Sequence, residues 1–315
     1  MNRPVKNFAR LCMILFGTLI FGLEPSAGLC AAERAVAVTA LTEGQVRVLD
    51  GAKWQPVGEK QLMRNGSILE THAKGRVLLK FRDGSWMRIF QKTRISLASE
   101  KAPEHPRGRF ERKWILNRGS FSAGLVPGRQ SLEIRTPNRF EIQALEGVLS
   151  LSLQEGGTTV SVSRGTVKVR NARTGISLNG GQRLDRVLPS DLLSEKVHLI
   201  PFILLMEIQP KGSKDSGNLP QTLEVTVQLV RHMQNREMRR SGPLLLISPS
   251  SFYPEPRKLM LNSRGAAQID LPLLPSLGKD PGSDGRVSLM VIMDSREAVS
   301  TVAGFAEYYV LPSRN

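Results

Sequence analysis

Apolar and polar residues alternate with a period of two through most of this chain, and no long stretch carries the period of an amphipathic helix. That pattern admits strands with one buried and one wet face and points to an all-β fold. Gly75 to Leu97 states it most fully. Val77, Leu79 and Phe81 alternate with Leu78, Lys80 and Arg82, Asp83-Gly84 reads as a two-residue turn with positive φ at both centres, and Met87 and Ile89 resume the alternation around Arg88. The reading places Val77, Leu79, Phe81, Met87 and Ile89 inside, with Lys80, Arg82, Arg88 and then Lys92 and Arg94 on the outer side.

The same punctuation recurs on both sides of this hairpin. Gln45 to Leu49 leads into a turn at Asp50-Gly51, and Gly66 to Leu69 follows Arg64-Asn65. From Ala98 to Trp114 the alternation stops in a charged, Pro-containing stretch that reads as a surface loop. Strands resume at Gly119–Ser122, Leu132–Arg135, Phe140–Ile142, Leu149–Leu153, Val160–Val162 and Val167–Arg170, separated by Gly156-Gly157 and Arg164-Gly165 and followed by Gly180-Gly181. Even spacing of short strands predicts a β-roll, a β-helix-like stack or a barrel for residues 33–188.

In order, the pieces Gly66–Thr71, Val77–Arg88, Asn117–Phe121, Thr136-Pro137, Gly157–Val169 and Leu178–Leu184 resemble the FecR domain, a periplasmic module best known from the ferric-citrate signalling regulator. The resemblance spans about Gly44 to Val187 and implies an exported, periplasmic β module. Two features depart from it. Family members commonly carry Arg-Gly-Thr followed by Phe after the Thr-Pro pair, where this chain has Leu145-Glu146-Gly147-Val148-Leu149. The signalling regulators resemble a cytoplasmic anti-sigma segment joined through a membrane helix to the periplasmic domain, whereas here only about ten residues precede the first apolar run. Direct binding of a cytoplasmic sigma factor is therefore not expected.

That first run, Leu11 to Leu23, follows Arg3, Lys6 and Arg10 and precedes Cys30-Ala31-Ala32, the layout of a secretory signal peptide over residues 1–32. Cleavage after Ala32 would place the mature N-terminus at Glu33 in the periplasm; acylation at Cys30 and an uncleaved anchor are the competing outcomes. Both cysteines, Cys12 and Cys30, fall in the leader, so a mature chain has no disulfide or thiolate metal site.

After Val187 the pattern changes. Pro189-Ser190-Asp191 reads as the start of a short helix to Lys196 capped by Ser190, within a connecting segment of residues 189–222 that ends in the polar stretch Gln209 to Pro220. Leu199 to Ile208 is too short to span a bilayer and reads as a buried strand. Alternation then returns at Leu223–Leu229 and continues through Leu244–Ile247, Leu259–Leu261, Ala267–Leu271, Val287–Met293 and Phe305–Leu311. With the run at 199–208 that makes about seven strands, which predicts an immunoglobulin-like β-sandwich over residues 223–315.

Chemistry is sparse. His72, His105, His198 and His232 stand at no metal-ligand spacing, Ser120–Gly124 lacks the leading glycine of a nucleophile elbow, and Asp280 and Asp284 lack the further ligands of a calcium loop. No enzyme, cofactor or metal is expected. The formal net charge of +16 is concentrated between Arg64 and Arg118, where fourteen Lys and Arg stand against five Asp and Glu. Such a surface attracts polyanions or serves solubility. Arg76, Lys80, Arg82, Trp86, Arg88, Lys92 and Arg94 are the candidate partner-binding residues, and Trp86 is the tryptophan expected to be exposed because it shares strand parity with Arg88. The sequence thus predicts a binding or scaffold module that meets an envelope protein or an anionic envelope polymer, with membrane contact at most peripheral and no nucleic-acid partner. The alternative is a FecR-type signalling accessory relaying a cue to a membrane partner.

Overall fold

The computed structural model describes residues 35–105, 108–211, 222–231, 236–237, 242–247, 256–272, 286–293 and 303–309, which fall in one compact unit, Ala35–Asn315. The expected leader with Cys12 and Cys30, Arg107, His232, most of the stretch from Gln209 to Pro220, and Asp280 and Asp284 lie outside the described residues.

The chain is all-β. Its first strands are β1 (Ala37–Glu43), β2 (Val46–Asp50), β3 (Lys53–Pro56), β4 (Leu62–Met63), β5 (Ile68–Thr71), β6 (Arg76–Phe81), β7 (Trp86–Ile89) and β8 (Arg94–Lys101). There follow β9 (Phe110–Leu125), β10 (Gln130–Arg135), β11 (Glu141–Ala144), β12 (Gly147–Gln154), β13 (Gly157–Arg164), β14 (Thr166–Arg170), β15 (Gly175–Asn179), β16 (Gln182–Val187) and β17 (Val197–Leu199). The C-terminal part adds β18 (Phe202–Lys211), β19 (Thr222–Arg231), β20 (Arg236–Glu237), β21 (Gly242–Ile247), β22 (Arg257–Leu261), β23 (Ala266–Pro272), β24 (Arg286–Met293) and β25 (Ala303–Tyr309).

β1 to β17 build two sheets that share one strand. The first is ordered β4-β1-β6-β7-β9-β12-β13-β16-β17. The second is ordered β3-β2-β5-β8-β9-β10-β11-β14-β15, with β9 and β10 parallel and every other pair antiparallel. There is no closed barrel. β9 pairs through Glu111–Arg118 with β8 and through Gly119–Leu125 with β7 and β12, so it leaves one sheet and enters the other at Gly119. Gly119 has φ +86°, and a Cβ there would lie 2.5 Å from the Thr93 Cα. Where the sheets part, the buried Thr93 hydroxyl accepts from the Ser120 amide at 2.8 Å, and the Thr71 hydroxyl accepts from the Thr93 amide at 2.9 Å. The backbone groups freed by the split are thereby satisfied. Between the sheets lies one apolar core, to which Val77, Leu79, Phe81, Met87 and Ile89 all contribute.

Two local expectations are corrected. The hairpin turn has three residues, Arg82 to Gly84: the Phe81 amide donates to the Ser85 carbonyl at 2.8 Å, and only Gly84 has positive φ, +87°. Asp83 instead accepts from the Ser85 amide at 3.1 Å and turns its carboxylate inward. Nor is Ala98–Trp114 one loop, because β8 runs to Lys101 and β9 begins at Phe110.

The reason that strand escapes a hydropathy reading is Arg112, an inward-facing guanidinium with no side-chain exposure. It donates to both Asp83 oxygens at 2.8 and 3.0 Å, to Glu100 at 2.5 Å and to the Gln130 side-chain carbonyl. Its guanidinium carbon stands 4.5 Å from the centroid of the Phe81 ring, which stacks in turn on Trp114 at 5.4 Å. A buried cation survives in a core only when paired and hydrogen-bonded in this way.

The helix expected from Ser190 is a single 3₁₀ turn, Leu193–Lys196, entered from Leu192 without a side-chain cap. Ser190 instead lends its carbonyl to Arg173 at 3.3 Å, and the Leu188 amide donates to Asp191 at 2.9 Å, which ties this segment down as a turn.

The C-terminal strands form two antiparallel sheets, β18-β19-β23 with β20 beside β19, and β22-β21-β24-β25. Leu223, Val225, Val227 and Leu229 of one sheet share a core with Leu244, Leu246, Leu289 and Val291 of the other. β21 buries both its faces. Leu244 and Leu246 point into that core, while Leu245 and Ile247 join Met290 against Leu78, Trp86 and Val148 on the outer face of the first sheet. The Trp86 indole N–H lies 3.1 Å from the Met290 sulfur, and Lys258 reaches Glu43 at 2.5 Å. Gly124 makes room for the indole, since a Cβ there would sit 2.5 Å from Trp86 Cε2.

Gly119→Ala is expected to destabilise by at least about 1–2 kcal/mol from the left-handed backbone alone, read as a lower urea midpoint. Arg112→Met strands two buried carboxylates and is expected to cost about 3–5 kcal/mol. Its pH dependence follows from Glu100, whose carboxyl burial pushes up despite the Arg112 charge. A carboxyl raised in the fold stabilises below its unfolded pKa, and that contribution is lost as pH rises through the folded value. Removing the guanidinium raises Glu100 further, so urea titrations should show the deficit of Arg112→Met growing from about pH 4 towards pH 7.

Candidate ligand-binding face

Pairing in register lines up side chains across strands, and on the face of the second sheet turned away from the core three such rows run side by side. The middle row starts with Trp54, Leu49, Ile68, Ser96 and Ile115 on β3, β2, β5, β8 and β9. It continues through Arg135, Glu141, Arg170 and Gly175 on β10, β11, β14 and β15. Half of it is apolar and half charged.

On one side of the apolar half stand Arg47, Glu70, Arg94 and Arg118. Glu70 accepts from Arg47 at 2.8 Å and from Arg118 at 2.6 Å. Burial works against its ionisation, but the hydrogen bond from Arg47 and the charge of Arg118 hold its carboxyl below the usual value. The guanidinium carbons of Arg47 and Arg94 lie 5.2 and 5.6 Å from the centroid of the half-buried Trp54 ring. On the other side run Lys113, Glu133, Gln143, Lys168 and Ser177. Lys113 meets Glu133 at 3.5 Å, and Arg135 bridges Glu133 at 2.6 Å and Glu141 at 3.8 Å. A groove of about 410 Å³ opens where Gly175 leaves the charged end without a side chain, lined by Glu141, Gln143, Lys168, Arg170 and Ser177. Over the three rows seven cations face three carboxylates.

The seven residues expected from sequence to bind a partner do not come together. Trp86 and Arg88 are wholly buried, which corrects the exposure expected of both: their face of the hairpin is the one covered by Leu245, Ile247 and Met290. Arg88 and Arg76 turn to Glu43 at 3.1 and 3.8 Å, where Lys258 also lands. Burial works against the Glu43 carboxylate, yet the Lys258 hydrogen bond and the charge of Arg88 hold its carboxyl below the usual value. Lys80 is half-buried, and burial pushes its ammonium pKa down. Arg82 and Lys92 are exposed at turns, Lys92 with φ +57°. Arg94 alone joins the rows beside Trp54.

Arg47 was missed, and Trp54 passed over in favour of Trp86, because neither stands inside the basic segment; the signal was their position on the β2–β3 hairpin, beside the strand that carries Glu70. Among the described residues no group of three or more His, Cys, Asp or Glu is placed to hold a metal, and no helix is long and apolar enough to cross a membrane. Trp86 and Trp114 are 0% and 2% exposed, so Trp54 is the one of three tryptophans that meets solvent. Iodide should quench a single fraction of the emission, and Trp54→Phe should abolish that fraction while Trp86→Phe leaves it in place.

The family model described as FecR protein matches residues 67–168. The family is one of non-enzymatic, signalling-related envelope proteins. No curated protein matches the chain. Two crystal structures of an anti-sigma factor candidate from Parabacteroides distasonis, at 2.50 and 1.65 Å resolution, align with 16% and 15% identity and a TM-score of 0.30 each. Each alignment covers 37% of this chain and 53% of that one, so the chain spans about half the length of the solved structures it matches. The family match begins at the edge of β5 and ends within β14: residues 67–168 of this all-β chain are similar to the FecR family.

Proposed function

We propose that this protein is an exported, non-enzymatic binding or scaffold module of the periplasm that holds an anionic envelope component on the outer face of its second sheet. The observation that carries this reading is the excess of cations over carboxylates in rows that flank Trp54 and Ile115. Surface cations kept only for solubility have no need of an aligned apolar stripe. The leader pattern of residues 1–32 supports export. Residues 223–315, with β18 as a first strand, make an immunoglobulin-like sandwich in this reading, supported by two four-strand sheets that share a core, with chain crossovers between them. The connecting segment of residues 189–222 then separates two β domains.

A second reading, a FecR-type signalling accessory that relays a cue to a membrane protein, is favoured by the family match. One experiment separates the two. Purified protein incubated with envelope fractions of the native host should co-sediment with the polymer fraction, and the bound amount should fall with added salt because exposed charges act over about a Debye length. Capture of one integral membrane protein, insensitive to salt and to the loss of Arg94 and Arg118, would favour the signalling reading instead.

A further inference from the structure

Resting on the reading of this face as a binding surface, we infer that its ligand is a linear acidic polysaccharide with widely spaced anionic groups, lying across the strands from Trp54 towards Gly175. The middle row crosses nine strands, which at the usual interstrand spacing is a track of roughly 38 Å. Its first half offers Trp54, Leu49, Ile68 and a 37% exposed Ile115, a flat apolar strip that fits the C–H face of sugar rings. Its edges offer cations at intervals: Arg47 and Arg94 stand two strands apart, about 10 Å, with Glu70 between them. Arg135 and Arg170 stand likewise on either side of Glu141.

That interruption selects the ligand. Double-stranded nucleic acid carries a charge about every 1.7 Å and would press phosphates onto Glu70, Glu133 and Glu141. A polymer with an acid on alternate sugars can set its anions at the cations and its neutral sugars over the carboxylates. The guanidiniums are not spent by their ion pairs. The Arg118 side chain is 64% exposed, and that of Arg135 is 59% exposed, so each keeps donors facing solvent.

The test uses the purified full-length mature protein and hyaluronan oligosaccharides, whose carboxylates sit on alternate sugars, with DNA of matched length and neutral dextran as comparisons. Titration at low salt should show hyaluronan binding that shields Trp54 from iodide. Arg94→Gln with Arg118→Gln, and separately Arg135→Gln with Arg170→Gln, should each weaken binding about tenfold or more. Arg82→Gln with Lys92→Gln, at turns off the track, should leave it unchanged. Near-ultraviolet circular dichroism identical to the parent keeps a folding defect from passing as lost binding. DNA binding tighter than hyaluronan at equal salt, or hyaluronan binding that ignores both track pairs, overturns the inference. If hyaluronan fails to bind while the envelope polymer fraction still co-sediments, the polysaccharide assignment falls and the binding-module reading stands; if neither binds, both fall.

Discussion

The passage of β9 from one sheet to the other at Gly119 is the constraint on which the first seventeen strands depend. Two sheets joined by a continuous strand cannot slide, because a shift of one residue in either half turns every side chain of the other half inside out. Only glycine fits the turn, where φ is +86° and the Thr93 backbone presses on the missing Cβ. On one side of that point Trp114 and Leu116 enter the common core, and on the other Phe121 and Ala123 do. The edge of Trp114 meets Phe121 across the bend, their centroids 5.8 Å apart. One residue thus sets the register of both sheets and the position of the core between them.

The basic surplus divides into three physically different populations. Arg112 is internal, and its ion pairs with Asp83 and Glu100 tie the hairpin turn to β8 and β9. Arg76 and Arg88 are interfacial, drawn with Lys258 to Glu43 at the margin of an apolar contact. Arg47, Arg94, Arg118 and Arg135 are superficial: the first two lie over the Trp54 ring, and the side chains of the last two are 64% and 59% exposed. Of these three, the last group is the one that faces solvent on the open sheet. Net charge states a tendency toward polyanions, but the fold decides which cations remain to act on it.

Much of this was legible in the chain itself. Alternation places Val77, Leu79, Phe81, Met87 and Ile89 in the core, where all five are found. It could not show that the opposite face of the same hairpin is also covered, because period two marks two faces without saying what lies against either. The marks of that covering sit some 160 to 210 residues further along the chain, in Leu244–Ile247 and Leu289–Met293, where apolar residues run on without alternating. Strands of that kind are buried on both sides, and the second side needs a partner. Arg112 misled in the opposite direction. A charged run that reads as loop is a strand whose inward cation is balanced by carboxylates from two other segments, and pairing across 29 residues leaves no local trace. At the hairpin, Asp-Gly announced a turn correctly; that Asp83 would anchor a buried guanidinium depended on where β9 passes.

The two outer faces of the first seventeen strands therefore have different fates, and the chemistry of each accounts for the difference. On the first sheet the outward positions Ser122, Ser150, Ser152 and Ser161 are small, and Gly124 has no side chain, so another sheet can approach closely. Leu78, Trp86 and Val148 give it something to hold. β13 lies against β25 there. On the second sheet the outward rows beside Trp54, Leu49, Ile68 and Ile115 are long, charged and cross-linked by Glu70, Glu133 and Glu141. A surface of that kind resists intramolecular burial, because desolvating so many ion pairs costs more than their attraction returns. Covering the first sheet and leaving the second open follow from the same side-chain alternation, read on opposite sides of one core.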